Sequence, residues 1–166
     1  MRYCILLLLL LTVSCNEEPN VQIHKEDWSK RKANITKLDS LDYGKSYLSV
    51  YSQIYSFSQK QKYNLTGMIS LRNVSEEDTI YLLRADYFNT KGKKIRTYFD
   101  YPVFIDPMET LEIVIAQADV EGGTGSNFLF DWKIPKGCPE PLFEGVMNSM
   151  QGTQGISFTT HAKRIK

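Results

Sequence analysis

From Ser46 to the C-terminus, apolar and polar residues alternate at period two in short runs rich in β-branched and aromatic side chains. Turn residues interrupt these runs every 8–15 positions. That pattern predicts eight strands: Ser46–Tyr55, Asn64–Asn73, Thr79–Phe88, Lys94–Asp100, Thr110–Ala118, Asn127–Ile134, Leu142–Met150 and Gly155–His161. The alternation selects inward sets of Leu65, Ile69 and Leu71; Tyr81, Leu83, Ala85 and Tyr87; Leu111, Ile113 and Ile115; and Phe128, Phe130, Trp132 and Ile134. Their opposite-face neighbours include Thr66, Ser70, Arg72, Arg84, Asp86, Glu112, Asp131 and Lys133, as one wet face requires. Asn89-Thr90-Lys91-Gly92-Lys93 reads as a hairpin loop with Gly92 in the left-handed position. Pro102, Pro107, Pro135, Pro139 and Pro141 fall between the runs, where a missing amide hydrogen costs no ladder bond.

No sustained 3.6-residue apolar period follows the N-terminal segment, so helix is minor. Many short strands need two facing sheets to bury one side each, which makes an antiparallel, immunoglobulin-like β-sandwich of seven to eight strands the expected fold. A small β-barrel is the alternative. With 42% apolar and 12% aromatic residues the chain has material for a native core.

The N-terminus carries an address. Arg2 is followed by an unbroken apolar run from Ile5 to Leu11 and then by Thr12-Val13-Ser14-Cys15. This reads as a secretory signal, too short to span about 30 Å of hydrocarbon. A small residue directly before cysteine resembles the bacterial lipobox, with Thr12 standing where Leu is usual. The expectation is a signal peptide over 1–14 and an acylated Cys15 that holds the protein to a membrane; the alternative is an ordinary secretory signal that happens to end in cysteine. Several acyl chains make that hold durable, at about 0.8 kcal/mol per buried CH₂. Asn16-Glu17-Glu18 resembles the surface-export signal of Bacteroidetes lipoproteins, so periplasm-facing and surface display both stay open. The location expected is the bacterial cell envelope.

Residues 15–45 are polar, with Val21, Ile23, Trp28, Ile35, Leu38 and Leu41 scattered at no fixed period. They are expected to form a lipid-anchored tether before a domain over 46–166; the alternative is that Trp28 or Ile35 docks on the domain. A flexible chain of some 30 residues reaches roughly 30 Å. Asp39-Ser40-Leu41 and Asp78-Thr79-Ile80 resemble the acceptor sequences of Bacteroidetes O-glycosylation.

Charge and cysteine use narrow the function. Without Arg2 the 20 basic residues become 19, against 19 acidic ones, and no basic block remains, so nucleic acid is not an expected partner. Loss of Cys4 with the signal and acylation of Cys15 leave Cys138 as the remaining thiol, so no intramolecular disulfide and no Cys-based zinc site is expected. His24 and His161 are the two histidines, too few for a His-rich metal centre. No cofactor is implied.

Several segments together are similar to a known family. They are Val50–Tyr55, Leu71-Arg72-Asn73, Ala85–Phe88 with Gly92, Gly122–Trp132, Glu144–Met147 and Gln154–Thr159. In this order they resemble the bacterial family called domain of unknown function 3124, from about Ser46 to about Ala162. Thr124 and Ser126 stand where Ser and Ala are expected, and Gly145 where Ala is usual. The resemblance implies a shared fold and export, and it carries over no catalytic residues.

The strongest local feature is Asp119-Val120-Glu121-Gly122-Gly123-Thr124-Gly125-Ser126-Asn127. Its three glycines let the backbone approach another surface, while Asp119, Glu121, Thr124, Ser126 and Asn127 supply polar groups. It is either a ligand-binding loop or a tight crossover that satisfies its own backbone. It is not a Walker loop, because no Lys follows the glycines, and it lacks the acidic spacing of an EF-hand. Asp86, Asp100, Asp131 and Glu144 offer carboxylates for acid–base hydrolysis, although scattered strand carboxylates more often line a solvated face. Cys138 and His161 can be written as nucleophile and base, but Cys138 sits in a Pro-bounded loop and His161 near the chain end. Tyr47, Tyr51 and Tyr55, spaced by four, form either a buried edge or an exposed recognition stripe. The reading is an anchored β-sandwich that binds an envelope protein or glycan and carries no catalytic residues. A module for a small ligand or ion, and an envelope hydrolase, are the alternatives.

Overall fold

A computed structural model describes residues 26–34 and 40–166. The expected signal peptide, Cys15 and residues 16–25 and 35–39 of the expected tether lie outside the described residues. The strands are β1 (Asp42–Val50), β2 (Gln53–Ser56), β3 (Ser58–Asn64), β4 (Thr66–Arg72), β5 (Ile80–Phe88), β6 (Lys94–Phe99), β7 (Val103–Ile105), β8 (Thr110–Ile115), β9 (Ser126–Ile134), β10 (Leu142–Gln151), β11 (Gln154–His161) and β12 (Lys163–Arg164). They pair antiparallel throughout. One sheet runs β12-β1-β9-β5-β6 with β7 also on β5, the second runs β11-β10-β4-β8, and β2-β3 is a separate hairpin.

The two sheets face each other across one core, as the alternation requires. β9 turns Phe128, Phe130, Trp132 and Ile134 inward, β4 turns Ile69 and Leu71, and β8 turns Leu111, Ile113 and Ile115. Each large apolar side chain so buried contributes roughly 1.5–3 kcal/mol. Rings bridge the layers: Tyr87 stacks on Phe128 at 4.7 Å, Phe128 on Phe130 at 5.4 Å, and Phe130 on Phe143 of the opposite sheet at 4.5 Å. Trp132 lies over Gly44 on the neighbouring strand, where an added Cβ would fall 2.1 Å from the indole. Its Nε1 donates to Ser46 Oγ at 3.0 Å, so the burial of Trp132 leaves no orphaned donor.

Twelve strands replace the eight expected because the run Ser46–Tyr55 divides into β1 and β2, and β3, β7 and β12 are strands that the alternation did not mark. The run Ser46–Tyr55 breaks at Tyr51 and Ser52, where the backbone leaves one sheet for the β2–β3 hairpin. In β5 the register against β9 shifts between Leu82 and Arg84. That bulge moves the inward phase by one residue, so Ile80 and Leu82 are buried in place of Tyr81 and Leu83, while Ala85 and Tyr87 remain inward. Asp86, expected on the wet face, is 6% exposed. It accepts from Thr97 Oγ1 at 2.5 Å and lies 3.6 Å from Lys94 Nζ. The Asn89–Lys93 hairpin loop has Gly92 at φ +72°, and Asn89 Oδ1 accepts from the amides of Lys91 and Lys93.

The framework reaches further toward the N-terminus than position 46. Trp28–Arg31 form a 3₁₀ turn capped by Asp27, whose Oδ1 accepts from Ser29 N at 3.2 Å. Trp28 is buried against Phe99 at 4.8 Å, and Arg31 Nη2 pairs with Glu109 at 2.7 Å. Lys32 bridges β7 at Val103, so this segment docks on the sandwich.

On the outer face of the larger sheet, Tyr43 donates its hydroxyl to Asp131, which also pairs with Lys45 at 3.2 Å. Burial first, and then the bond to the carboxylate, push the Tyr43 phenol from 10.0 up to about 12. The folded chain therefore holds this proton more tightly than the unfolded chain does. The resulting stability is fully present below pH 10 and is lost as pH rises through about 12. Ultraviolet phenolate titration is expected to show a late component that Tyr43→Phe removes, together with a shallower alkaline loss of stability in the variant. Unchanged titration and slope would refute the contact.

Candidate functional site

β1 runs from one pole of the sandwich, where Asp42 faces Ile134, to the other, where Val50 faces Ser126. The glycine loop, the β5–β6 hairpin and the base of β2–β3 gather at that second pole. Three hydroxyls are buried beneath it. Tyr87 OH lies 2.9 Å from Ser52 Oγ and donates to Ser126 Oγ at 3.1 Å, and Ser126 Oγ donates to Val50 O at 2.8 Å. Burial dominates the titration of Tyr87 and pushes it upward.

Gly122 closes this cluster. A Cβ there would fall 2.0 Å from Tyr87 OH and 2.6 Å from Ser52 Oγ, so the position accepts only a hydrogen. Gly123 follows at φ +73°, a conformation that favours glycine. Its carbonyl oxygen accepts from both Ser52 N and Gln53 N, each at 3.1 Å. Thr90 fastens the loop from the neighbouring hairpin, its Oγ1 donating to Gly122 O at 3.0 Å and accepting from Gly125 N at 2.9 Å.

The loop residues divide by role. Asp119 accepts from Arg96 Nη2 at 2.8 Å, with the exposed Glu121 3.8 Å from the same nitrogen. Against the cost of burial, the bonds to Asp119 and then to Tyr98 raise the Arg96 pKa, so this cation is permanent. Ser126 is buried, Asn127 pairs within β9 between Ser49 and Phe88, and Thr124 is half-exposed. Gly122, Gly123, Gly125, Asp119 and Ser126 are thus engaged inside the protein, and Glu121 faces solvent.

What this junction holds out is the β2–β3 hairpin. Its tip residue Phe57 is 91% exposed and takes φ +57°, a strained backbone for a bulky side chain. The Phe57 ring meets Tyr63 edge-on at 6.4 Å, and Tyr55, 56% exposed, lies under Lys62 Nζ at 5.2 Å. No Asp or Glu occurs from Tyr43 to Ser75, and Lys60 and Lys62 are exposed on β3. Aromatic density alone did not single out Phe57. A flanking serine on each side and a run free of acids and prolines were the available signals. The tyrosine stripe is broken up: Tyr47 remains on β1, Tyr51 packs on Phe158 at 5.8 Å, and Tyr55 belongs to the hairpin.

The carboxylates are dispersed. Asp86 and Asp131 lie on the larger sheet with the cations described, and Asp100 is exposed after β6. Glu144 lies on the smaller sheet, 2.9 Å from Arg72 Nε and 3.2 Å from His161 Nε2. Burial raises the Cys138 thiol, whose polar neighbours are Ser75 and Asp78, so Cys138 and His161 have different partners. Among the described residues no three His, Cys, Asp or Glu side chains converge as metal ligands.

The sequence profile of the family described as "Protein of unknown function (DUF3124)" matches residues 43–165, which is β1 to β12. No curated protein matches the chain. A solved structure described as "Crystal Structure of Thermotoga maritima 1070" is 12% identical, covers 72% of this chain and 92% of its own, and superposes with a TM-score of 0.46.

Gly122→Ala is expected to lose about 1–3 kcal/mol of stability through overpacking. Tyr87→Phe removes the oxygen that the new methyl meets, so the double variant should lose less than the sum of the singles. Additive losses in urea unfolding would show that Gly122 and Tyr87 are not in contact.

Proposed function

The chain belongs to the DUF3124 family, and from that premise and the geometry of its glycine-loop pole we propose that it is a lipid-anchored binding module of the bacterial cell envelope. Its partner is an envelope protein or glycan, met by the β2–β3 hairpin. The observation that carries this reading is Phe57, 91% exposed in a left-handed backbone conformation on a hairpin whose base is bonded to Gly123. Burying an exposed aromatic ring on a partner gains apolar contact at small entropic cost.

The placement of the pole supports the reading. Glu26, bonded to Arg31 beside Glu109, belongs to the opposite pole, where β1 starts. Ten residues separate Cys15 from Glu26, a reach of at most about 36 Å when fully extended. β1, with nine residues, adds roughly 30 Å before the hairpin begins. On this reading an acylated Cys15 tethers the chain at the pole opposite the β2–β3 hairpin. Among the described residues no helix is long and apolar enough to cross a membrane.

The glycine loop supports the site from behind. Asp119 is committed to Arg96 and Ser126 is buried, which disfavours the loop as a small-ligand or ion site. Asp131 and Glu144 lie on different sheets, which disfavours a paired-carboxylate hydrolase.

In-cell crosslinking of the full chain, followed by affinity capture, tests the proposal. Phe57→Ser is expected to weaken capture of the dominant partner by about 2 kcal/mol, roughly thirtyfold, while Glu121→Gln leaves it unchanged. Cys15→Ala should move the protein from the membrane to the soluble fraction. Equal capture by Phe57→Ser and the parent would place the binding surface elsewhere.

A further inference from the structure

We infer that β11 is the docking edge for a second copy of this chain, two β11 strands pairing antiparallel about a two-fold axis at Ser157. The inference is independent of the hairpin site and rests on a comparison of strand edges.

An open edge offers unpaired amides and carbonyls to any strand, and folded proteins blunt such edges with charge, proline, bulges or brevity. Among the described residues the other edges carry these devices. β6 has Lys94 and Arg96 and two register shifts against β5. β8 has six residues, contains Glu112 and follows Pro107. β12 has two residues, both basic. β2 has four residues and a bulge at Tyr55/Ser56, and β3 has Lys60 and Lys62.

From Gln154 to Thr159 β11 has none of them; beyond that stretch Thr160 Oγ1 donates to Ser49 O of β1 at 2.7 Å and His161 lies 3.2 Å from Glu144. β11 pairs with β10 over eight consecutive residues without a register shift. From Asn148 to Thr160 there is no charged residue and no proline. Gln154 to Ser157 are exposed, Ile156 by 40%, and Met150 across the hairpin by 68%.

The absence of charge favours a second copy as the occupant. About a two-fold axis a strand meets its own sequence reversed, so a charge near the centre meets its like; this penalises β6 and β8 and spares β11. Antiparallel partners share a face, so the axis must pass through a residue. With Ser157 opposite Ser157, Ile156 faces Phe158 of the second copy, Phe158 faces its Ile156, and Gly155 faces its Thr159. Ile156 and Phe158 turn to the same face, and each is paired to β10 through residues buried there, Ser149 and Met147. Two aromatic–β-branched pairs thus flank the axis, and the two four-stranded sheets become one of eight.

The test is made on the full chain in intact cells, with single cysteines and a short bis-maleimide. Ser157→Cys is expected to give at least roughly tenfold more crosslinked homodimer than the parent chain, whose Cys138 is buried, and than Val114→Cys on β8. Adding Ile156→Lys, or separately Thr159→Lys, should abolish the dimer; both positions are exposed, so the fold is retained. Absence of a Ser157→Cys dimer, equal dimer from Val114→Cys, dimer that survives both lysines, or crosslinking only to a different protein would each overturn the inference.

Discussion

Two backbone amides, those of Ser52 and Gln53, converge on one carbonyl oxygen, that of Gly123, each at 3.1 Å. This junction ends the β1 ladder, turns the chain out of the larger sheet and starts the β2–β3 hairpin. It needs a residue at φ +73° beside one that has no Cβ, which explains two adjacent glycines at 122 and 123. Without it the hairpin has no fixed base, and Phe57 has no fixed direction.

The hydroxyls gathered beneath this pole are buried and matched. Tyr87, Ser52 and Ser126 bond to one another and to Val50 O, so three hydroxyls enter the core at little net cost. Arg96, Asp119 and Tyr98 form a second group behind the loop, Arg96 donating to the Asp119 carboxylate at 2.8 Å and to the Tyr98 hydroxyl at 3.1 Å. Elsewhere, on the outer side of the smaller sheet, Ser70 Oγ is buried without a partner among the described residues. The pole is thus a hydrogen-bonded platform, and a fixed base suits a surface that presents one aromatic ring.

The strands that bury one clean face were legible from alternation alone: β4, β8, β9 and β10 lie close to their expected limits, and the inward residues of β4, β8 and β9 are those the period selects. Alternation failed where the backbone breaks its own period. The bulge in β5 exchanged Tyr81 and Leu83 for Ile80 and Leu82, and no residue type marks a bulge in advance. β3 is almost wholly exposed, so no burial imprints a pattern on Ser58–Asn64. Trp28 gave no periodic signal because a single turn buries a single ring. The glycine loop was visible as a loop of special geometry, but its Gly122 packs on Tyr87 and Ser52, 35 and 70 positions away in the chain, a pairing that no local motif encodes.

Amide hydrogen exchange at Ser52 and Gln53 measures the central junction directly. Both amides lie at a chain break between strands, where a solvent-bonded amide exchanges with little protection. If they bond to Gly123 O in the folded chain, their protection should match that of amides in the middle of β1 and β9, such as Leu48 and Phe130. Exchange as fast as that of the exposed hairpin tip would contradict the junction, and with it the fixed presentation of Phe57.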